Sequence, residues 1–443
     1  MTGTPGSGFN RRFQSLGVPN FRVYFIGQSI SLIGSFVQIV AQSWLVLKMT
    51  NSGTTLGVIV ALQFLPLLVL GSWGGVLADR FDNQRLLLAT SFVSMCCAAG
   101  LGTMVVAHRV TIIWVGVFAF ALGMVGPFER PAAQAFLYEL AGPGELANAV
   151  ALNALLAPLS RLVGPAIAGV LIATIGTGAC FFVNAISYVV VVGALLRLDR
   201  AAMFARRQSS RLKGQLREGF EYARRMPVIR ATLIVLFVAG TMAYNFQTTV
   251  PAMTKFEFHQ GATGLAFAQV LSAVGALIAG ILVAGLRAPT VRHLAFAGTV
   301  FGVLLVAWGF LPTFTSWAIF GCVVGTVSTA FTTLTQSVLQ RETEPAMLGR
   351  VMSLFSIGFF GTTPIGALIS GALISALSPR WPFYVGGLAT MVAAGAVLST
   401  VTGKRGREPG RTDPRIGSPL ASDSEGAVIE VSVSKVGYRS VRQ

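Results

Sequence analysis

Between Phe21 and Thr402 the chain returns repeatedly to apolar runs of about 20 residues, the length a helix needs to cross a hydrocarbon core of ~30 Å. In lipid every backbone N–H and C=O must find a partner within the fold, which leaves helices or a closed barrel. The alternation over about 10 positions that barrel strands require is absent. Of the 443 residues 53% are hydrophobic and 11% are charged, against about 25% charged in ordinary soluble domains. The pattern predicts an all-α integral membrane protein with twelve spans, at 21–48, 55–78, 86–107, 111–128, 147–175, 179–197, 229–252, 263–286, 292–312, 315–339, 348–376 and 381–402. The first span is too long for the apolar part of a cleavable leader, and no small-residue cleavage site precedes the second.

The formal net charge of +17 follows topology. With the N-terminus taken as cytoplasmic, four of the 33 Lys and Arg (Lys48, Arg109, Lys255 and Arg380) fall in external loops and one, Arg161, inside a span. The rest lie in cytoplasmic segments, which is the positive-inside bias and predicts both termini in the cytoplasm. No nucleic-acid partner is implied by this charge; contact with anionic lipid of the bilayer is. The four cysteines all lie in apolar spans without metal-ligand spacing and read as small buried hydrophobes. No metal and no cofactor are expected.

Residues 198–228 are too polar to cross a membrane and divide the chain into six spans and six, with bundles at 21–197 and 229–402. Within this cytoplasmic linker, Gln215 to Met226 has the spacing of a short amphipathic helix, with Leu216, Phe220, Tyr222 and Ala223 apolar. A weak internal repeat agrees: an offset of 205 pairs Gly75 and Leu77 with Gly280 and Leu282, and one of 202 pairs Gly164 and Gly169 with Gly366 and Gly371. Two six-helix halves related by an axis along the membrane normal are a known transporter layout. Residues 1–20 form a cytoplasmic N-terminus, and 403–443, rich in Arg, Gly, Pro, Ser and Asp at their start, a disordered cytoplasmic tail.

One short stretch gathers charge where the chain otherwise avoids it: "GGVLADRFDNQRLL", residues 75–88, between spans two and three. It resembles the signature loop of the major facilitator superfamily, with Gly75, Leu77, Asp79, Arg80 and Arg85 in place and Asp82 and Asn83 departing from it. "LQFLPLLVLGSWGGVLADR", "ELANAVALN", "RLVGPAIAGVL" and "GRVMSLFSIGFFGTTPIGALISGAL" are similar to the subgroup that holds enterobactin exporters and macrolide efflux pumps. The resemblance covers roughly residues 15–402. It implies two pseudo-symmetric six-helix bundles and secondary active export of small amphipathic compounds, drugs or siderophore-like molecules, by alternating access. Proton antiport, a bacterial inner-membrane location and a monomer are implied with it. One departure stands out: the loop after span four reads "ERPAAQAF", so Ala133 occupies a customary Arg position and Arg130 stands three residues earlier, on the same face if the chain is helical there.

The charges then acquire roles. Asp79 at the membrane surface can meet the positive N-terminal end of a neighbouring helix, worth about 0.3–1 kcal/mol when exposed. The resemblance suggests span eleven, starting near Gly349, as that neighbour when the cytoplasmic side is closed. Arg80, Arg85 and Arg130 would orient the carboxylate, or Arg85 simply anchors topology. Arg161, mid-span, costs about 2.5–3.5 kcal/mol to insert unpaired and so must face a partner or a water-filled cavity. Gly164, Pro165 and Gly169 beside it resemble the span-five motif of antiporters, weakened by Ser160 in a usual glycine position. Gln38 and Gln42, four apart, with Tyr244, Asn245, Gln247 and Gln336, are candidate cavity lining or plain interhelical glue. No Asp or Glu falls mid-span in this segmentation; Glu129, at the end of span four, is the best candidate for proton coupling or else a loop charge, and Arg161 is the other residue that coupling could involve. A flippase for lysophospholipid or another lipid precursor, or a scaffold or sensor that no longer transports, are the competing functions. An enzyme is the least supported, since no nucleophile pairs with a histidine base within a span.

Overall fold

The computed structural model describes the backbone of residues 13–205, 215–284 and 289–403, with side chains over the same ranges except 72–80, 215–216, 284 and 400–403. The tail expected at 403–443 therefore lies outside the described residues. Helices α1 (Pro19–Thr50), α2 (Gly53–Arg80), α3 (Asn83–Val106), α4 (Ile112–Thr174) and α5 (Thr177–Leu196) build the N-terminal half. The short α6 (Gln215–Arg225) follows. Then come α7 (Pro227–Met242), α8 (Phe246–Ala252), a π-helical turn Met253–Glu257, α9 (Ala262–Ala284), α10 (Val291–Phe310) and α11 (Phe314–Glu342). The chain closes with α12 (Leu348–Ser356), a second π-helical turn Ile357–Gly361, α13 (Thr363–Ala376) and α14 (Trp381–Gly403).

Eleven helical segments among the described residues are long and apolar enough to cross a membrane, yet one of them, α4, has 63 residues. At 1.5 Å per residue that is about 95 Å, three times a hydrocarbon core. It is broken at Gly142, whose φ of 68° and ψ of 176° suit glycine alone, and the Phe204 ring fills the place a Cβ would need. Two antiparallel arms result, and with them the twelve crossings.

The end of the molecule where α1 begins and α14 finishes is called proximal, the other distal. Distally the halves are sealed against each other. Side chains at Gly53 and Gly57 would collide with Ile374 and with the Ala367 carbonyl, so α2 lies directly on α13, where Thr54 also donates from its amide to Ser375 Oγ at 2.9 Å. In the same way Gly169 on the second arm of α4 faces Ala266 of α9. Asn51 ends α1 in the left-handed conformation that Asn tolerates, and its Oδ1 accepts from Lys255 Nζ at 2.7 Å across the divide.

The repeated glycines hold equivalent places. Gly164 sits where α4 crosses α1 at Phe36, and Gly366, 202 residues on, where α13 crosses the Thr241–Asn245 turn. Gly169 and Gly371, with the same offset, make the two inter-half crossings just described.

The apolar cores follow the same division. One cluster runs through both halves toward the distal end, joining Val46 and Leu56 to Met253, Leu265, Trp308 and Trp317. Toward the proximal end each half keeps its own: Phe21, Phe136 and Leu195 in one, Val235, Phe331 and Ala394 in the other. Helix α6 belongs to the second half. Glu218 pairs with Arg350 at 2.9 Å, and Ala223 packs with Ile229, Val351 and Leu354 beneath α12. Phe220, expected on the apolar face, is instead 62% exposed, because the docked face is set by Gly219, Tyr222 and Ala223.

Candidate functional site

The apolar pattern ends span four at residue 128 and leaves Glu129 and Arg130 in a loop; the structure corrects this. Helix α4 continues to the break at Gly142, so about 17 Å of helix lies beyond Arg130 before the turn. Glu129 and Arg130 therefore lie on a continuous helix and not in a loop. Pro127 and Pro131 do not stop the helix, since neighbouring helices can re-satisfy the carbonyls they leave free in a membrane bundle. Arg130 and Ala133 consequently share a face.

Arg130 has an exposed side chain and lays its guanidinium over the ring of Phe360 at 4.6 Å, a contact between the first half and the π-helical turn of the second. It thus points across the divide, away from lipid. Glu129, its neighbour in the chain, is half-buried and within electrostatic reach of Arg130, of Tyr24 on α1 and of Tyr188 on α5.

Arg161 is also exposed and lies over Phe36 at 5.8 Å, held there because Gly164, one turn on, lets α4 close onto α1. The same guanidinium is within electrostatic reach of Tyr244 in the opposite half. Neither arginine forms an ion pair with a carboxylate among the described residues.

Tyr244 stands at the interruption between α7 and α8 and organises the second half. Its hydroxyl donates to the Ser328 carbonyl at 2.6 Å, and its ring meets Phe359 at 5.0 Å, Phe301 at 5.2 Å and Phe246 at 5.8 Å. Phe359 in turn meets Phe360 edge-on at 4.8 Å. An aromatic wall thus runs from beneath Arg130, through Phe360 and Phe359, to Tyr244 near Arg161. A π-turn widens the helix by one residue and recurs at functional places. Here it sets Phe359 and Phe360 side by side.

The remaining amides divide. Gln38 and Gln42 are buried in helix contacts: Asn184 Nδ2 donates to Gln38 Oε1 at 2.7 Å, and Gln42 Nε2 to Gln63 Oε1 at 3.3 Å. Asn245 is buried and donates to the Thr241 carbonyl at 2.7 Å, tying off the broken helix. Gln247 is half-buried and Gln336 exposed.

At the proximal end, the side chains of Gly75, Asp79 and Arg80 lie outside the described residues. The turn that follows them is firmly fixed. Asp82, a departure from the signature, is the N-cap of α3 and accepts from the Arg85 amide at 2.8 Å, while the Arg85 side chain is exposed. Asn83, the other departure, donates to Glu139 at 2.6 Å and so bolts the turn to α4. The partners that sequence reasoning passed over are Phe36, Phe359, Phe360 and the Lys255–Asn51 bridge. Only the paired phenylalanines in "GFFG" offered any signal, and phenylalanine is too common here, at 31 residues, to single them out.

Residues 11–412 match the model of a family described as transmembrane secretion effectors. Among curated relatives, the staphyloferrin A transporter of Staphylococcus aureus is 24% identical over 83% of this chain and 93% of its own length. The enterobactin exporter EntS of Citrobacter koseri is 27% identical over 88% and 94%. The multidrug efflux pump Tap of Mycobacterium tuberculosis is 26% identical over 81% and 87%. Of solved structures, the nucleoside transporter NupG aligns with a TM-score of 0.68 over 86% of this chain and 99% of that one, at 10% identity, a likeness of fold alone. A match across nearly the whole membrane region, with the twelve-crossing fold behind it, means that the chain belongs to the transmembrane secretion effector family of the major facilitator superfamily and is a multi-pass membrane transporter rather than an enzyme.

Proposed function

We propose that this protein exports small amphipathic compounds across a bacterial cell membrane by alternating access, in exchange for protons, with both termini in the cytoplasm. The observation that carries this reading is the pairing of a distal seal with two exposed in-span arginines. Arg130 and Arg161 are solvent-accessible deep in the bundle while the halves share one apolar core distally and keep separate cores proximally. The access route is then the proximal one, which the positive-inside bias assigns to the cytoplasm. A cargo taken up from that side leaves when the distal crossings part and the proximal ends close.

In the closed proximal state Asp79 would meet the N-terminal end of α12 near Gly349, with Arg80 and Arg85 orienting it. Glu129, the carboxyl inside a crossing, is the proton site in this reading, since such groups mark relays in transporters. Its neighbour Arg130 lets a change of charge on Glu129 be felt at the Phe360 contact. Relatives named for enterobactin export and for multidrug and macrolide efflux support the direction. A monomer without nucleic-acid partners suffices for it.

The test is efflux of a fluorescent amphipathic dye from loaded cells, with and without a protonophore, beside Asp79→Asn at matched abundance. Efflux abolished by both changes is the expected result. Efflux that persists at full rate in the protonophore would end the proton reading, and normal transport by Asp79→Asn would end the gating role.

A further inference from the structure

The aromatic wall and the two arginines together specify more than an amphipathic cargo. We propose that the space between the halves is an anion-selective site, whose ligand is an aromatic amphiphile carrying two acidic groups, one met by Arg130 and the other by Arg161, with its ring system lying against Phe360, Phe359 and Tyr244. This rests on the transport reading above and narrows its substrate class.

The inference begins with cost. A guanidinium inside a membrane bundle must be hydrated, paired or both, and two of them here are exposed and without a carboxylate partner among the described residues. What they have instead is ring faces, Phe360 at 4.6 Å and Phe36 at 5.8 Å. A ring face attracts a cation and holds it in place, but accepts none of its in-plane N–H donors, so the fork of each guanidinium stays available to a planar carboxylate, sulfonate or catecholate oxygen pair. Of the carboxyls nearby, Glu129 is within electrostatic reach of Arg130 as well as of Tyr24 and Tyr188 and so offsets part of one charge, while Arg161 has no acid in reach and only Tyr244. The two arginines sit at different depths, about 17 and ~28 Å of helix from the break at Gly142. That spacing suits a rigid, elongated ligand with acids toward its two ends better than a compact monoanion. The wall between them is aromatic on one side and continuous, from Phe360 to Phe359 at 4.8 Å and on to Tyr244 at 5.0 Å. A cationic compound would find the rings but also the two like charges, of which only Arg130 has an acid, Glu129, within electrostatic reach.

Two xanthene dyes of nearly equal shape and opposite charge, fluorescein and rhodamine 123, provide the test. Their binding to the purified full chain in detergent is followed by fluorescence anisotropy. Fluorescein is expected to bind at least about tenfold more tightly than rhodamine 123, and Arg130→Gln and Arg161→Gln each to weaken fluorescein by about tenfold or more, as loss of a charge-assisted contact entails, while rhodamine 123, relieved of a like charge, binds more tightly than to the parent. Arg130→Lys and Arg161→Lys, which keep the charge, should recover part of the affinity. Thermal melts followed by tryptophan fluorescence establish that each variant is folded.

Equal affinity for both dyes, tighter rhodamine 123, or fluorescein binding indifferent to both Gln variants would overturn the proposal. Flux of both dyes in proteoliposomes separates it from the transport reading. Fluorescein bound through the arginines but never moved would leave the anion site standing and remove the exporter. Rhodamine 123 moved with fluorescein excluded would do the reverse.

Discussion

The two halves share helix count and repeated glycines but fill their interiors differently. The first half is held by a polar network: Asn184 joins Gln38, Ser187 joins Asn184 at 3.1 Å, Ser35 meets Tyr188 at 3.3 Å and Gln42 joins Gln63. The second half is held by rings. Trp308 stacks on Trp317 at 5.0 Å and donates to its carbonyl at 2.7 Å, Phe383 closes on Trp308 edge-on, and Tyr244 gathers Phe246, Phe301 and Phe359. The backbones differ in step. The arms of α4 stay helical through their prolines, whereas the second half interrupts its helices at Ala243–Asn245 and at the π-turn Ile357–Gly361. A polar network has few alternative arrangements that satisfy every donor, so it holds α1, α2 and α5 in register. Rings are less directional and tolerate being re-packed. The division suggests a half that carries charge and a half that adapts to cargo.

The sharpest way to break this comparison is at Glu129. Glu129→Gln keeps the shape and removes the charge. Proton-driven dye efflux is expected to fall to background while equilibrium binding of fluorescein persists, read by flux in proteoliposomes beside anisotropy. Full coupled transport by the variant would leave the first half with no titratable role.

Next in size is Trp308→Ala, which removes a fully buried ring from the second half. Large-to-small substitutions of this kind cost about 3–5 kcal/mol. A melt in detergent should show a drop larger than for any single polar substitution in the first half; a smaller one would mean that the aromatic core is not what holds that half.

Gly57→Val tests the seal the halves share. Its Cβ would meet the Ala367 carbonyl, backbone that cannot step aside, and overpacking of this sort costs about 1–3 kcal/mol. Since the collision exists only while the distal end is closed, the variant should expose distal positions to a membrane-impermeant maleimide more than the parent does. Smaller still is Gln38→Leu, which leaves Asn184 Nδ2 without its partner. Interhelical hydrogen bonds in membranes average about 0.6 kcal/mol and reach ~1.7, so a loss of about 1 kcal/mol in the same melt is expected.

What the sequence made legible follows the same line. The number of crossings is carried by composition and spacing, which burial in lipid enforces strongly, whereas the charged stretch at Asp79 reads as a loop and is the end of α2. Nor does the pattern carry the extent of α4. Glu129, Arg130 and two prolines look like the end of a span when each residue is weighed against lipid, but Arg130 faces the other half and Glu129 has the tyrosines of its own in reach, and so the rule that ends spans at charge fails there. The interruption at Tyr244 has no glycine or proline beside it and is imposed by packing, Gly366 pressing on the Thr241 carbonyl and Asn245. Gln38 and Gln42 have the spacing of a lining pair, yet Asn184 and Gln63 claim them, partners that no local pattern reveals.

The smallest expected effect is at the distal bridge, where the halves touch through one flexible side chain. Lys255 Nζ donates to Asn51 Oδ1 at 2.7 Å and to the Leu47 carbonyl, closing the C-terminal end of α1, where a cation is favoured by the helix dipole. Lys255→Met keeps the stem and removes the donors. Bonds of this kind at a wet boundary contribute about 0.5–1 kcal/mol, so the distally closed state should lose a factor of about 2–5 in population. Maleimide labelling of Thr54→Cys, in a background without the four native cysteines, would read that change. Asn51→Gly supplies the control, since glycine keeps the left-handed backbone that ends α1 and removes only the acceptor. If the two variants act through the one bridge, their combination should label little more than either alone. Additive labelling would mean that Lys255 holds the seal through the Leu47 carbonyl, with Asn51 serving the helix end alone.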